Sequence, residues 1–352
     1  MNRGMRGSLS SSVLWLLILS SACTETGDGA SLNLSAELGP MPTASGAGMI
    51  LRLDPRFDAL VPPGAVIERV ADGFEFLEGP VWIREDSRLI FSDLGANSIY
   101  EWTESGGPRV LIENYYDGST EGLGNLFGSN GLTRDSDGQI VIGDHGRRQV
   151  TRLESDGSQV ALVDSFEGAR LNSPNDVVYR SDGWLYFTDP PYGLDGGDDS
   201  PLKELDFNGI YRLGPDGDLE LLSSEQSRPN GLAFSPDENT LYVANCDGEQ
   251  AVWMAYDVSL DGLSNARVLA EANTRRPETG CPDGLKVDRQ GNVFATGPGG
   301  VWIIAPDGTH LGTIAPTENP ANVGWGEDGR TLYMTARTGL YRIRLIAEGP
   351  IP

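Results

Sequence analysis

Residues 230–245 read NGLAFSPDENTLYVAN: an amide, an apolar stretch, a polar turn and a second apolar stretch closed by another amide. TLYVAN alternates in the manner of a half-buried strand, and the preceding PDE supplies the turn that folds it back on NGLAF. The phrase occurs six times, headed by Glu78 (EGPVW), Asn130 (NGLTR), Asn175 (NDVVY), Asn230 (NGLAF), Asp283 (DGLKV) and Asn322 (NVGWG). Head and closing residue are always 14 or 15 apart: Glu78 to Asp93, Asn130 to Asp144, Asn175 to Asp189, Asn230 to Asn245, Asp283 to Gly297, Asn322 to Ala336. Successive heads are 52, 45, 55, 53 and 39 residues apart. A strand-and-turn repeat of that length predicts propeller blades. No segment sustains the 3.6-residue apolar period of a long helix.

The expected fold is therefore all-β, a six-bladed β-propeller with a central metal site. The last phrase is followed by too little chain for a full blade, so Ala65–Val70, ahead of the first head, is expected to supply its outer strand and leave no long exposed edge. The 46 glycines and 22 prolines of the 352 residues suit the many tight turns. Three segments are expected: an export or lipoprotein-type signal over 1–23, a flexible tether over 24–46, and a single propeller domain over 47–352. The signal rests on Arg3 and Arg6, the apolar run Val13–Leu19, and the small residues that lead to Cys23. Cys23 offers a site for a lipid anchor, and the expected location is the periplasm or a membrane surface. The tether rests on Ser, Gly, Thr and Ala content.

A net charge of −25 argues against a nucleic-acid partner, whose phosphates call for Lys and Arg. Cys246 and Cys281 show no CxxC or Cys-His spacing, so a zinc finger-like site is not expected. Whether they pair in an exported, oxidising setting is left open by the sequence.

Six oxygen-bearing heads in equivalent positions converge on one axis. Asn-Gly and Asp-Gly are ordinary turn dipeptides, and any single head reads as a turn residue. The shared register argues otherwise, because separate Asp-Gly turns occur later in each phrase. Glu78, Asn175, Asn230 and Asp283 would bring two carboxylates and two amide oxygens to one point. That is a hard, all-oxygen set suited to Ca²⁺. The lack of soft ligands counts against copper or zinc, though Mg²⁺, Mn²⁺ and Zn²⁺ all stay open as the divalent cation.

The motifs EGPVW (78–82), DHGRRQVTR (144–152), SPNDVV (173–178), YFTDPPYGL (186–194), RPNGLAFSPD (228–237) and PDGLKVD (282–288) resemble those of the SMP-30/gluconolactonase/luciferin-regenerating-enzyme-like family. The similarity runs over roughly residues 66–345. The resemblance implies a six-bladed propeller, a central divalent metal, and hydrolysis of sugar-acid lactones. It places metal ligands on Glu78, Asn230 and Asp283, with Asn175 as a further ligand or a substrate contact, and the catalytic acid/base on Asp283.

On the same face, Asn130, His145 and Tyr192 are candidates to meet a small lactone substrate. For His145 the bland alternative is a polar loop residue, and for Tyr192 an aromatic loop anchor. Arg147 or Arg148 could meet a substrate carboxylate or form a salt bridge. Loop 189–208 is the expected wall or lid, since loops on a rigid scaffold carry function. The tryptophans read as packing between blades. A non-catalytic binding propeller with a structural metal, and a lactonase or esterase for a different substrate, are the competing readings. A quinone-dependent dehydrogenase fits poorly with two histidines and such acidity.

Overall fold

The computed structural model describes residues 43–272 and 279–352. The expected export signal, Cys23 and residues 24–42 of the expected tether lie outside them. Each phrase folds as an antiparallel meander. Blade one is Leu77–Ile83, Arg88–Asp93, Ser98–Thr103 and Gly107–Ile112, hydrogen-bonded in that order. Blades two to four repeat the pattern over 129–163, 177–223 and 229–271. The first strands of neighbouring blades contact one another around a closed ring, and the sixth touches the first. The molecule is a six-bladed β-propeller.

Blade six has three strands of its own, Asn322–Gly326, Thr331–Ala336 and Gly339–Arg344, and takes its outer strand from Ile67–Asp72. The register Gly339↔Asp72 to Ile343↔Ile67 joins the two ends of the chain and closes the ring. Blade five is larger than the repeat predicts. Its strands over 285–316 are extended by Gly48–Arg52 and then Thr43–Ala44, which makes a six-stranded sheet. Residues 43–46, read as the end of a tether, are therefore part of a blade. Small polar residues suit a flexible linker and an edge strand equally, and only the neighbouring edge of blade five distinguishes them.

Aromatic side chains lock adjacent blades. Trp82 of blade one stacks on Tyr333 of blade six at 5.5 Å. Trp253 of blade four meets Trp302 of blade five at 5.1 Å, and Phe294 of blade five meets Trp325 of blade six at 4.9 Å. Such pairs contribute about 0.5–1.5 kcal/mol each beyond their burial. His310 stacks on Trp302 at 3.8 Å in the outer part of blade five, away from the heads.

In blades one, three and four the residue that closes the phrase holds the bend ahead of the head. The Asp93 carboxylate accepts the backbone N–H groups of Glu75 and Phe76, just ahead of Glu78. Asp189 accepts those of Asn172 and Ser173, just ahead of Asn175. Asn245 Oδ1 accepts that of Arg228, two residues ahead of Asn230. In three blades, then, the closing side chain clamps the bend that delivers the head to the axis. Hydroxyls add a second tie between blades: Ser92 donates to the carbonyl of Asn130 (2.8 Å), and Thr188 to that of Asn230 (2.8 Å).

Candidate active site

Where blade meets blade at the axis, there is no room for side chains between the heads. A Cβ at Gly79 would strike the carbonyl of Asn130, and one at Gly284 would fall on the Asn322 amide. Glycine after the head lets neighbouring inner strands approach closely enough to bring the heads together.

Glu78 is buried, and its Oε2 accepts the N–H of Gly79 and the Nδ2 of Asn322, both at 3.0 Å. Burial pushes its carboxyl above the usual range, and the charge of Asp176 adds to the rise. Asp283 is raised further, first by burial, then by the charges of Glu78 and Asp176. The Asn230 amide lies against Asp283, and its Oδ1 is buried without a hydrogen-bond donor. The structure thus brings Glu78, Asn230 and Asp283 together. Asn175 is buried beside them in the ring, its backbone fixed by Thr188 and Gly131.

Asp176 is a third axial carboxylate that sequence reading missed. Its Oδ1 accepts the N–H of Val177, while its buried Oδ2 has no partner. The signal was present: glycine follows the head at 79, 131, 231 and 284, and aspartate replaces it only in the third phrase. Conversely, the Asn322 amide is spent on Glu78 and on the N–H of Val323.

His145 is buried and neutral. Its Nδ1 lies 2.9 Å from the Leu126 carbonyl and its Nε2 lies 3.0 Å from Nδ2 of Asn130. Nδ1 must therefore carry the proton and donate it to Leu126, leaving Nε2 to accept from the amide. Burial lowers its pKa to about 4. The ring orients Asn130 from behind. Tyr192 is half-buried, its hydroxyl fully so; burial and then the charge of Asp283 push the phenol well up.

Arg147 and Arg148 do not face the site. Arg147 pairs with Asp144 and Asp117 and donates to the carbonyl of Tyr115. Arg148 is buried and donates to the carbonyls of Leu171 and Asn172. Cys246 and Cys281 form a disulfide with Cα atoms 5.2 Å apart, linking the ends of blades four and five on the face of the heads.

The donor set fits a hard divalent cation. Three mutually repelling buried carboxylates and an orphaned amide oxygen call for positive charge, and Lys286 is the one cation acting on Glu78 among its largest influences. Among the described residues, no three His, Cys, Asp or Glu side chains group as a metal site by themselves. An ion here would have to draw on the amides as well.

The model of the SMP-30/gluconolactonase/LRE-like region matches residues 76–338, so the chain belongs to this family of propeller proteins. Among its relatives, a gluconolactonase of Zymomonas mobilis is 39% identical, the match covering 84% of this chain and 86% of that protein. A pentonolactonase of Haloferax volcanii is 28% identical, covering 74% and 81%. The solved structure of a gluconolactonase from Xanthomonas campestris superposes with a TM-score of 0.73 at 31% identity, over 88% of this chain and 99% of that one.

Proposed function

We propose that this protein is a lactone hydrolase that opens the ring ester of a sugar-acid lactone, with a divalent cation, Ca²⁺ by preference, held by Glu78, Asn175, Asn230 and Asp283. The observation that carries this reading is the buried Asp283 set beside Glu78 and the orphaned Asn230 Oδ1. Its relatives' activities on gluconolactone and pentonolactone support it. A cation bound by these oxygens would polarise the ester carbonyl and offset charge on its oxygen. Asp283 would take a proton from the attacking water. Glu78 is held in one orientation by Asn322 and Gly79. Asn130, oriented by His145, and Tyr192 would meet the substrate. Sugar lactones are activated esters, so a weak base suffices.

The test is hydrolysis of aldonolactones, acyl-homoserine lactones and an activated organophosphate, each with and without chelator. Chelator-sensitive turnover confined to aldonolactones is the expected result; no turnover of any lactone refutes the proposal. We place the protein outside the cytoplasm, anchored through Cys23; the Cys246–Cys281 bond suits such an oxidising location. Fractionation of cells that express the full chain, beside its Cys23→Ser variant, tests this: release of the variant from membranes is expected.

A further inference from the structure

Tyr192 carries a hydroxyl that the folded protein does not use. The oxygen is buried, the Asn230 amide approaches it, and its own O–H donates to nothing; the neighbouring Asn230 Oδ1 is unpartnered. Buried hydroxyls are ordinarily satisfied; those of Tyr186 and Tyr211 also donate to nothing, but only that of Tyr192 lies beside Asp283 and a second orphan, Asn230 Oδ1.

The hydroxyl is fixed in place. Tyr192 lies in the loop after blade three's second strand, which is strapped down on both sides. Ser173 Oγ donates to the carbonyl of Pro190 at 2.6 Å and accepts the N–H of Gly193 at 2.9 Å. Gly124 N–H donates to the carbonyl of Gly193 (2.9 Å), and Asp195 N–H to that of Gly122 (3.0 Å). Gly193 rests on His145 so closely that a Cβ there would come within 2.8 Å of the His145 Cβ. This loop is a wall joined to the segment that precedes blade two.

His145, Lys286 and Asn322 already spend their N–H groups within the protein. His145 spends its N–H on Leu126 and its free nitrogen on Asn130. Lys286 donates to the carbonyl of Leu285, and the Asn322 amide to Glu78. Tyr192 retains an uncommitted O–H beside Asp283 and Asn230.

We infer that Tyr192 determines substrate specificity by donating a hydrogen bond to the hydroxyl on the carbon next to the ester carbonyl of an aldonolactone. The inference rests on the lactone hydrolase reading above. If Asn230 and Asp283 serve the carbonyl, the group that meets the adjacent Tyr192 hydroxyl is the substituent on the neighbouring carbon. A hydroxyl there can accept from Tyr192 and donate to an axial carboxylate at once. A site that holds a buried donor for a substrate hydroxyl discriminates strongly against the analogue that lacks it, because the donor then stays unpaired.

The test compares wild type and Tyr192→Phe on D-glucono-1,5-lactone and on its 2-deoxy analogue. Wild type should prefer the parent lactone by roughly 100-fold or more in kcat/KM. Tyr192→Phe should lower kcat/KM for the parent by roughly 10- to 100-fold and leave the 2-deoxy lactone unchanged. Since the hydroxyl donates to nothing in the free protein, the variant should melt no lower than wild type. Equal losses on both lactones, no loss on either, or a lowered melting temperature would each overturn the inference while the hydrolase reading stands. A wild type that opens neither lactone overturns both.

Discussion

Nε2 of His145 lies 3.0 Å from the Asn130 amide nitrogen, and this pair can exist only while the imidazole is neutral. A proton on Nε2 would set two donors against each other. Burial holds the pKa near 4, against 6.5 for the unfolded chain. Between those values the unfolded state binds the proton and the folded state does not. The contribution of His145 to stability is therefore complete above pH 6.5 and is lost as the pH falls through 4. The shift corresponds to about 3 kcal/mol at most. Urea titrations of wild type and His145→Gln at pH 7.5 and pH 4.5 should show wild type losing its advantage at the lower pH. A difference that stays constant with pH would contradict the neutral, buried assignment.

The three axial carboxylates make the cation-free protein pull against itself. Burial and the charges of Glu78 and Asp176 both oppose ionisation of Asp283. Replacing Asp283 by Asn removes a charge and keeps the shape. In the presence of chelator the variant should melt higher than wild type, because a buried repulsion is gone. On adding Ca²⁺, wild type should gain roughly 3–4 kcal/mol at concentrations 100–1,000 times Kd, and the variant much less. The variant should also lose nearly all turnover. Differential scanning calorimetry with and without Ca²⁺ reads the first two effects; a variant that keeps the full Ca²⁺ gain would remove Asp283 from the ligand set.

Much of this site was legible because a propeller converts sequence register into radial position. Six heads, each 14 or 15 residues from its closing residue, gave the blades, the axis and the meeting of Glu78, Asn230 and Asp283. The clamp at the end of the phrase was not legible. Asp189 reads as a strand-ending turn residue until its carboxylate is seen gripping the N–H groups of Asn172 and Ser173. Asp176 went unread because attention to the heads hid the residue after them. Arg148 depends on the carbonyl of Leu171, 23 residues away, and Arg147, beyond its local pair with Asp144, on the carbonyl of Tyr115, 32 residues away, so no local pattern carries the whole of either role. The disulfide was undecided because pairing depends on how close the ends of blades four and five come.

The clamp at Asp189 should be costly to remove. Asp189→Ala leaves two buried backbone N–H groups without acceptors, at about 1–3 kcal/mol each. The same bend carries Asn175, so activity should fall along with stability. Asp189→Asn keeps one acceptor and should lie between the two. Denaturant unfolding of the three proteins orders them; an alanine variant as stable as wild type would show the clamp to be incidental.

The disulfide closes a stretch of 35 residues between blades four and five. Chain-entropy reasoning gives it about 4 kcal/mol. Cys246→Ser with Cys281→Ser should lower the unfolding free energy by an amount of that order, and a reducing agent should destabilise wild type without affecting the double variant. Sensitivity of the double variant to the reductant would locate the effect elsewhere.

Gly284 tests whether close approach of the inner strands, rather than the chemistry of the heads alone, builds the site. It lies one residue past Asp283 in blade five, and a Cβ there would fall on the side chain of Asn322 in blade six. Asn322 in turn donates to Glu78 in blade one. A single methyl group at 284 must therefore displace the amide that orients Glu78, although it touches neither Glu78 nor Asp283. The backbone at Gly284 is not among the positive-φ glycines, so alanine meets steric conflict there without conformational strain. Overpacking of this kind costs about 1–3 kcal/mol. Gly284→Ala should weaken Ca²⁺ binding and turnover together, while Gly64→Ala, at a glycine with open space around it, should change neither. Isothermal titration with Ca²⁺ distinguishes the outcomes: unaltered affinity in Gly284→Ala would mean that Glu78 keeps its place without Asn322.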